Sequence, residues 1–336
     1  MVISVYRESP AKRDLTVMPG NGRFMIDFNY HGVLEHFSLT HRNERVSSMS
    51  VFVIRAFANF ACATLLAASA IAQTAIAQTA IAQTNRPGEF QPQVGQSGKD
   101  VIWVPTPEAL VDRMLRMANV TSNDFVMDLG SGDGRIAIAA GKNFKTRAVG
   151  VEFNPDMVTL SNQNAAREGV TDLVRFIRGD IFETDFSQAS VITMYLLPSL
   201  NLRLRPKLLD MKPGTRITSH AFDMAEWVAD ETATVEGRSA YLWIVPAKTA
   251  GTWSFDMGGT KVNLQISQTF QRIEGTLQRG DRLSPMTGSL RGDEIRFSVP
   301  DGQGSRREFV GKVTGDRMEG HSGSERWSAT RAARPG

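Results

Sequence analysis

Residues 126–135 read Val-Met-Asp-Leu-Gly-Ser-Gly-Asp-Gly-Arg, and this stretch decides the fold class of the chain. Its apolar start predicts a short strand that ends near Asp128, and the apolar run over residues 136–140 predicts a helix directly after the glycines. Glycines allow the backbone to approach a ligand closely, and the start of a helix offers free N–H groups. A turn of this kind after a first strand is typical of open α/β sheets that bind nucleotide-like ligands.

The spacing of the glycines and the acids beside them narrow the choice of ligand. Dinucleotide-binding turns space their glycines G-x-G-x-x-G to seat a pyrophosphate, whereas this turn has G-x-G-x-G. The carboxylates of Asp128 and Asp133 would repel a pyrophosphate but attract a ligand that carries an ammonium and a sulfonium group. S-adenosylmethionine (SAM) carries both groups, so the turn favours SAM. A turn with a purely structural role is the alternative.

Two further acids follow the next two predicted strands. Glu152 ends the strand predicted over residues 148–152 and lies about 20 residues after Gly132, where a second-strand acid usually accepts hydrogen bonds from ribose hydroxyls. Asp180 follows the strand predicted over residues 174–178, where it is expected to accept a hydrogen bond from an adenine amino group. A lone Asp after a strand is usually a turn or cap residue. Three acids at successive strand ends, in this order, predict a SAM site.

Composition excludes several other kinds of site. The chain of 336 residues has a net charge of only +3 and no strongly basic region, so nucleic acid is not an expected partner. Its single cysteine, Cys62, lies outside the predicted catalytic domain, which excludes a cysteine-based zinc site, a disulfide framework and a cysteine nucleophile there. Of five histidines only His220 falls in that domain, so no metal site is expected.

The first hundred residues predict an extension, a leader and a linker. Residues 1–48 are polar and irregular, and we expect translation to start at Met49 instead. Residues 49–72 combine a short basic region, an apolar core and an A-x-A motif, which predicts a signal peptide or a membrane anchor. Residues 73–100, with three tandem Ala-Ile-Ala-Gln-Thr repeats, predict a linker. A periplasmic, secreted or membrane-anchored protein would be separated from the cytosolic supply of SAM, and the sequence leaves this conflict open.

Two domains are predicted after the linker. Residues 101–247 alternate predicted strands and helices, the pattern of a mostly parallel sheet, with Thr106 as the expected N-cap of the first helix. Residues 251–332 alternate strands with glycine-rich turns and predict a small antiparallel β-meander, curled into a sandwich or a partial barrel. Trp253 and Trp327 are expected to pack in its core, with a carbohydrate or peptide contact as the alternative. We expect this domain to serve in binding or stabilisation.

The order of these segments resembles the class I SAM-dependent methyltransferases, with a Rossmann-like α/β sheet, and in particular the group related to the ATP synthase c-subunit lysine methyltransferases. The resemblance rests on residues 104–107, 128–135, 150–155, 195–198 and 213–216 and covers roughly residues 101–245. It implies a seven-stranded sheet, SAM as the cofactor and a protein lysine as the leading substrate. The residues implied to bind or lie near SAM are Thr106, Asp128, Gly130, Ser131, Gly132, Gly134, Glu152 and Asp180.

Candidate catalytic residues follow the fourth and fifth predicted strands. Residues 195–198 read Tyr-Leu-Leu-Pro, where many amino-directed methyltransferases have Asn/Asp-Pro-Pro-Tyr. Tyr195 is a candidate for orienting an amine, with a core-edge aromatic as the alternative. His220 is a candidate proton acceptor, with a turn histidine as the alternative, and Asp223 is a weaker candidate for the same role.

Three functions remain open from the sequence. The first is methyl transfer to a protein lysine, and the second is methyl transfer to a small molecule or a lipid. The third is a non-catalytic, exported binding platform built on a degenerate methyltransferase fold, in which the C-terminal domain does the binding. The leader favours the third function, with membrane association through residues 51–72 as a further possibility, whereas the glycine turn and the three acids favour an enzyme.

Overall fold

The computed structural model divides into two compact units, Met1–Glu89 and Phe90–Gly336. It describes residues 90–301 and 304–332 and, in the first unit, four strands. These strands are β1 (Val2–Tyr6), β2 (Thr16–Gly20), β3 (Arg23–Tyr30) and β4 (Val33–Thr40). They form an antiparallel sheet in the order β1-β4-β3-β2.

This sheet differs from the irregular extension expected for residues 1–48. Only two residues separate β3 from β4, and two is the commonest length of a hairpin loop. The polar composition of residues 1–48 obscures this hairpin signal in the sequence. The predicted leader at residues 49–72 and the repeats of the predicted linker lie outside the described residues. Among the helices that the structure describes, none is long and apolar enough to cross a bilayer.

The second unit begins with an α/β domain. Its helices are α1 (Glu108–Met117), α2 (Arg135–Phe144), α3 (Pro155–Arg167) and α4 (Pro198–Leu209). Its strands are β5 (Phe125–Leu129), β6 (Arg147–Glu152), β7 (Val174–Arg178), β8 (Val191–Met194), β9 (Arg216–His220), β10 (Glu231–Val235) and β11 (Arg238–Ile244).

The seven strands form one sheet in the order β10-β11-β9-β8-β5-β6-β7. Strands β5 to β9 are parallel, and β11 pairs antiparallel with β9 and β10. The chain runs outward from β5 through β6 to β7 and then returns to β8 on the other side of β5. Such a reversal of strand order opens a crevice at the carboxyl ends of the two central strands, where α/β sheets bind ligands.

Helix α1 shows how the sequence pattern builds the layers around this sheet. Its apolar residues recur on one face, and Leu110, Val111, Met114 and Leu115 are all buried. The expected N-cap is wrong by one residue, because Pro107 precedes the helix and no side chain caps it. The hydroxyl of Thr106 bonds His220 instead.

A closed antiparallel barrel forms the rest of the second unit. Its strands are β12 (Gly251–Met257), β13 (Thr260–Thr269), β14 (Arg272–Arg279), β15 (Arg282–Arg291), β16 (Glu294–Pro300), β17 (Arg306–Thr314), β18 (Arg317–Ser322) and β19 (Glu325–Arg331). Each strand pairs with the next, and β19 also pairs with β12, which closes the barrel. The expected meander is therefore complete, and it is neither a sandwich nor a partial barrel.

Aromatic side chains fill the barrel. Phe255, Phe297, Phe309 and Trp327 contact one another with ring centroids 4.7–6.4 Å apart. Trp327 is 3% exposed, and Trp253 is fully buried with its indole N–H donating to the Thr249 carbonyl at 2.8 Å. Both tryptophans therefore pack in the core, and neither offers a surface for a carbohydrate or a peptide.

Candidate functional site

The turn between β5 and α2 adopts a conformation that requires glycine. Gly132 has a φ of 55°, and a Cβ atom on it would lie 2.7 Å from Nε1 of Trp103. Gly134 has a φ of 85°, and its Cβ would lie 2.5 Å from the ring of Phe176. The two glycines therefore differ in role, because Gly132 faces the cavity described below whereas Gly134 permits close packing behind it.

A cavity of about 260 Å³ lies beside this turn, at the carboxyl ends of β5, β6 and β8. Most of the predicted cofactor and catalytic residues line it, whereas Gly134 and His220 do not. The predicted residues in its wall are Thr106, Asp128, Gly130, Ser131, Gly132, Glu152, Asp180 and Tyr195. Within the described ranges, no group of three or more His, Cys, Asp or Glu side chains is placed to hold a metal ion.

Asp128 is the buried acid of this cavity. Its side chain is 2% exposed, and its Oδ1 accepts a hydrogen bond of 2.6 Å from the Thr193 hydroxyl. Its Oδ2 and the hydroxyl of Ser131 are buried without a partner. Burial raises the pKa of Asp128 to about 7, and the neighbouring carboxylates of Asp133 and Glu152 add to the rise.

These two unpartnered atoms, Oδ2 of Asp128 and the hydroxyl oxygen of Ser131, fit the ammonium group of SAM. A buried polar atom without a hydrogen bond is unfavourable, so the site is completed by a ligand that supplies donors or a positive charge. The ammonium group of SAM supplies both, and Asp128 would hold it, with the Ser131 hydroxyl as a further partner. The residues present therefore fit the cofactor that the sequence predicts.

Glu152 is held rigidly at the end of β6. Its Oε2 accepts from the backbone N–H of Gly132 at 3.0 Å, and its Oε1 accepts from the N–H of Asn154 at 2.9 Å. Asn154 in turn caps α3, because its side-chain oxygen accepts from the N–H groups of Asp156 and Met157. A carboxylate accepts about four hydrogen bonds in all, so capacity remains for ribose hydroxyls.

Asp180 has a partner that the sequence did not reveal. Its Oδ2 lies 2.5 Å from Nζ of Lys99, and its Oδ1 accepts from the N–H of Phe182 at 2.9 Å. The hydrogen bond from Lys99 lowers the pKa of Asp180. Nζ of Lys99 also lies 4.8 Å from the centre of the Phe153 ring.

Lys99 belongs to a short hairpin, residues 95–103, that lines one side of the cavity. Backbone hydrogen bonds of 2.9 Å join Gly95 to Trp103 and Trp103 to Gln96. The end of the predicted linker at residues 73–100 is therefore ordered structure. Its glycine- and glutamine-rich composition gave no signal for this, because the hairpin is held by residues distant in the sequence.

Tyr195 and Phe222 form the aromatic end of the cavity, with their rings stacked at a centroid distance of 6.2 Å. Phe222 was not predicted, because it follows β9 in a segment without a recognisable motif. Asp223 does not line the cavity, and its carboxylate accepts from the N–H of Ala225 at 3.1 Å. The structure therefore gives Asp223 the role of a turn residue.

His220 lies behind Tyr195 instead of in the cavity wall. Its ring centroid is 3.8 Å from that of Tyr195, and its Nδ1 lies 3.0 Å from the Thr106 hydroxyl. Burial, together with the smaller effect of the positive charge of Arg238, lowers the pKa of His220 to about 4. The imidazole is thus neutral near pH 7 and is a weak base, which argues against the expected role as proton acceptor.

This strand order and this glycine turn define a class I SAM-dependent methyltransferase, as the sequence predicted. The model of the ANTKMT methyltransferase domain matches residues 128–231. A protein-lysine N-methyltransferase from Saccharolobus islandicus is 44% identical over 151 residues, covering 43% of this chain and 94% of the relative. The chain therefore belongs to the family of protein-lysine N-methyltransferases, and SAM is its cofactor.

Two mammalian relatives match over a smaller share of their own length. The human ATP synthase c-subunit lysine N-methyltransferase is 34% identical over 148 residues, which span 44% of this chain and 62% of the human protein. The mouse adenine nucleotide translocase lysine N-methyltransferase is 30% identical over 40% of this chain and 54% of its own. A solved RNA methyltransferase from Salinibacter ruber with S-adenosyl-L-homocysteine is 50% identical, covering 44% of this chain and 96% of that one at a TM-score of 0.43.

Proposed function

We propose that this chain transfers the methyl group of SAM to the side-chain amine of a lysine in a protein substrate. The observation that carries the proposal is the cavity itself, which joins a buried carboxylate with a free oxygen to an aromatic end. The archaeal relative supports the choice of acceptor, because its match covers 94% of a protein named as a protein-lysine methyltransferase.

SAM, when bound, supplies a methyl group on a positively charged sulfur, which is already an activated leaving group. Asp128 and Glu152 would hold the cofactor through its ammonium group and its ribose. Two backbone N–H groups hold Glu152 in place, so this part of the cofactor site is ordered before SAM binds. Alignment of two reacting groups in this way supplies roughly 7–11 kcal/mol of the barrier reduction.

The aromatic end of the cavity would receive the lysine. A lysine amine has a pKa of about 10.4 in water, and an apolar environment lowers it toward the neutral form that attacks the methyl group. Tyr195 would orient this amine, and His220, which bonds Thr106, would support the Tyr195 ring from behind. We therefore assign His220 the role of a positioning residue.

Methyl transfer to proteins tests the proposal directly. The full chain would be incubated with tritiated SAM, a bacterial membrane-protein extract and a panel of soluble lysine-rich proteins, with Asp128→Ala as the control. We expect label in protein that co-migrates with methylated lysines after acid hydrolysis. Label recovered in lipid, in small molecules or in another amino acid, or SAM binding without any transfer, would contradict it.

We also propose that residues 49–72 form an export signal or a membrane anchor. The support is their sequence, in which Arg55 precedes an apolar core and an A-x-A motif. Expression of the full chain in a bacterium, followed by cell fractionation and intact-mass measurement, tests this. Recovery of the uncut chain in the cytosol would refute it.

A further inference from the structure

The turn between β13 and β14 holds an unusual residue. The two strands are joined by Phe270 and Gln271 alone, and Phe270 has a φ of 53°. Two-residue hairpin turns with a positive φ at their first position strongly favour glycine there. A bulky aromatic residue in that conformation is strained, and such strain persists only where the surroundings hold it in place.

The Phe270 ring contacts the methyltransferase domain, whereas the Phe270 carbonyl accepts a hydrogen bond of 2.8 Å from Gln268 of the barrel. The ring lies parallel to that of Trp227, with centroids 6.0 Å apart and an angle of 11° between the planes. The guanidinium of Arg205, on α4, lies 5.4 Å from the Phe270 ring centre. Beside it, the side-chain amide of Gln271 donates to the carbonyl of Val228 at 2.7 Å. The barrel therefore inserts this turn against residues 227 and 228.

Residues 221–228 connect this contact to the catalytic cavity. The segment follows β9 directly and carries Phe222, which forms part of the aromatic end. It is itself strained, because Ala221 and Ala225 have φ values of 64° and 52°. A strained segment of this kind relaxes unless it is held from several sides.

Helix α4 of the methyltransferase domain holds the first part of the segment. The side-chain amide of Asn201 donates to the carbonyls of Phe222 and Asp223 at 3.2 and 3.1 Å. Arg205 donates to the carbonyl of Met224 at 2.9 Å. Both donors are on α4, and Arg205 also donates to the Glu226 carboxylate at 2.7 Å, so α4 holds the segment as far as residue 226.

The end of the segment, residues 227 and 228, is held by the sheet and by the barrel together. The indole N–H of Trp243, on β11, donates to the carbonyl of Trp227 at 2.7 Å. The barrel turn adds the stacking on the Trp227 ring and the hydrogen bond to the carbonyl of Val228. Loss of the turn would therefore remove two of the contacts that fix this end of the segment.

We propose that the Phe270–Gln271 turn of the barrel positions residues 221–228 and thereby fixes Phe222 at the aromatic end of the cavity. Phe270 and Gln271 are then positioning residues for methyl transfer, and the barrel is a part of the acceptor site instead of an independent binding module. The proposal rests on the proposed function for its effect on catalysis, but the ordering of residues 221–228 is independent of that function.

Phe270→Gly in the full chain separates positioning from folding, because it gives the turn the residue that the backbone favours. Phe270→Tyr keeps the stacking on Trp227 and serves as the conservative variant. Leu283→Ala, at a side chain 63% exposed in the β14–β15 hairpin, serves as the control in the same barrel. Three measurements would be made: amide hydrogen exchange of residues 221–228, the Kd for SAM, and steady-state kinetics (kcat and KM) with one protein that the wild type methylates.

For Phe270→Gly we expect exchange of residues 221–228 to accelerate by about tenfold or more. We expect kcat to fall at least about fivefold while the Kd for SAM stays within about twofold, since the cofactor residues lie at the other strand ends. Phe270→Tyr and Leu283→Ala should behave like the wild type in all three measurements.

Unchanged exchange in Phe270→Gly, or an equal loss in Leu283→Ala, would overturn the proposal. A fall in kcat without faster exchange would overturn it as well. If the wild type transfers no methyl group to protein, the proposed function fails, and the exchange comparison still decides whether the turn orders residues 221–228.

Discussion

At the scale of single residues, Asp128 governs the chemistry of the cofactor site. It is buried with one oxygen bonded to Thr193 and the other free, and its pKa is raised to about 7. A carboxylate in this state is half protonated near neutral pH in the free protein. Because a cationic ligand favours the ionised form, binding of SAM and ionisation of Asp128 are thermodynamically linked.

This linkage predicts that the affinity for SAM depends on pH. As pH falls from 8 to 5.5, we expect the Kd to rise by up to about tenfold per pH unit below 7, since the cofactor must then displace a proton. Asp128→Asn should bind SAM weakly with a Kd that is nearly independent of pH. Calorimetric titration at a series of pH values checks both; a wild-type Kd constant over this range would contradict the linkage.

The same group predicts an unusual pH dependence of stability. The folded protein binds a proton at Asp128 more tightly than the unfolded chain does, so Asp128 destabilises the free protein as pH rises from about 4 to about 7. The effect is about 1.4 kcal/mol for each unit by which the pKa is raised. Asp128→Asn should therefore gain stability over the wild type as pH rises, measured by chemical denaturation. A wild type that gains stability relative to Asp128→Asn as pH rises, or a constant difference between the two, would refute this.

The glycine turn allows a matched comparison. Gly132→Ala and Gly169→Ala both place a Cβ at a positive φ, of 55° and 65°, but only the Cβ at position 132 would meet a neighbour, Trp103. We expect both variants to lose stability from backbone strain, and Gly132→Ala alone to weaken SAM binding by about tenfold or more. Equal SAM affinities in the two variants would show that this turn does not contact the cofactor.

Single residues also show what the sequence can and cannot reveal about the site. The acids Asp128, Glu152 and Asp180 follow strands, so a pattern of apolar runs ending in an acid was enough to select them. Lys99 and Phe222 follow no such pattern, because only the folded chain brings them to the cavity. The three acids all line the cavity.

At the scale of elements, the hairpin at residues 95–103 rests on one ion pair with the core. Lys99 bonds Asp180 at 2.5 Å, and Trp103 lies against the glycine turn. Asp180 is also the residue expected to receive the adenine amino group. If Asp180 receives the adenine as expected, the hairpin and the cofactor use the same carboxylate, so the order of the hairpin is expected to depend on this contact.

Lys99→Met tests that dependence. Loss of the amine removes the bond to Asp180, so amide exchange within residues 95–103 should become faster in the free protein. Lys142→Met is the control, because Lys142 forms an exposed pair of the same 2.5 Å length with Glu168 away from the cavity. Hydrogen exchange measured by mass spectrometry checks this, and equal exchange of the hairpin in both variants would count against it.

The strands of both domains were visible in the sequence, but their assembly was not. Alternating apolar residues marked the strands of the barrel, whereas its closure depends on the pairing of β12 with β19, which are far apart in the chain. The sheet of the α/β domain was easier to predict, since the glycine turn and the order of strands and helices restrict its topology. The N-terminal strands were missed, although apolar runs such as residues 24–26 within them are a signal for β structure.

At the scale of the whole molecule, the structure joins a methyltransferase domain to a barrel that lies outside the match to the family model. A match of 151 residues covers 94% of the archaeal relative, so the α/β domain alone accounts for the length of a protein-lysine methyltransferase. The family model likewise ends at residue 231, before the barrel. The barrel lies outside the residues that the family model matches, and its strained turn at Phe270 contacts Trp227 in the segment that carries Phe222.

The most direct test of the central claim is calorimetric titration of the full chain with SAM in the wild type, Asp128→Ala and Glu152→Ala. The cavity predicts one binding site in the wild type and at least about a tenfold loss of affinity in each variant, which corresponds to about 1.4 kcal/mol. Wild-type affinity in both variants, with the fold intact, would contradict the assignment of this cavity as the cofactor site.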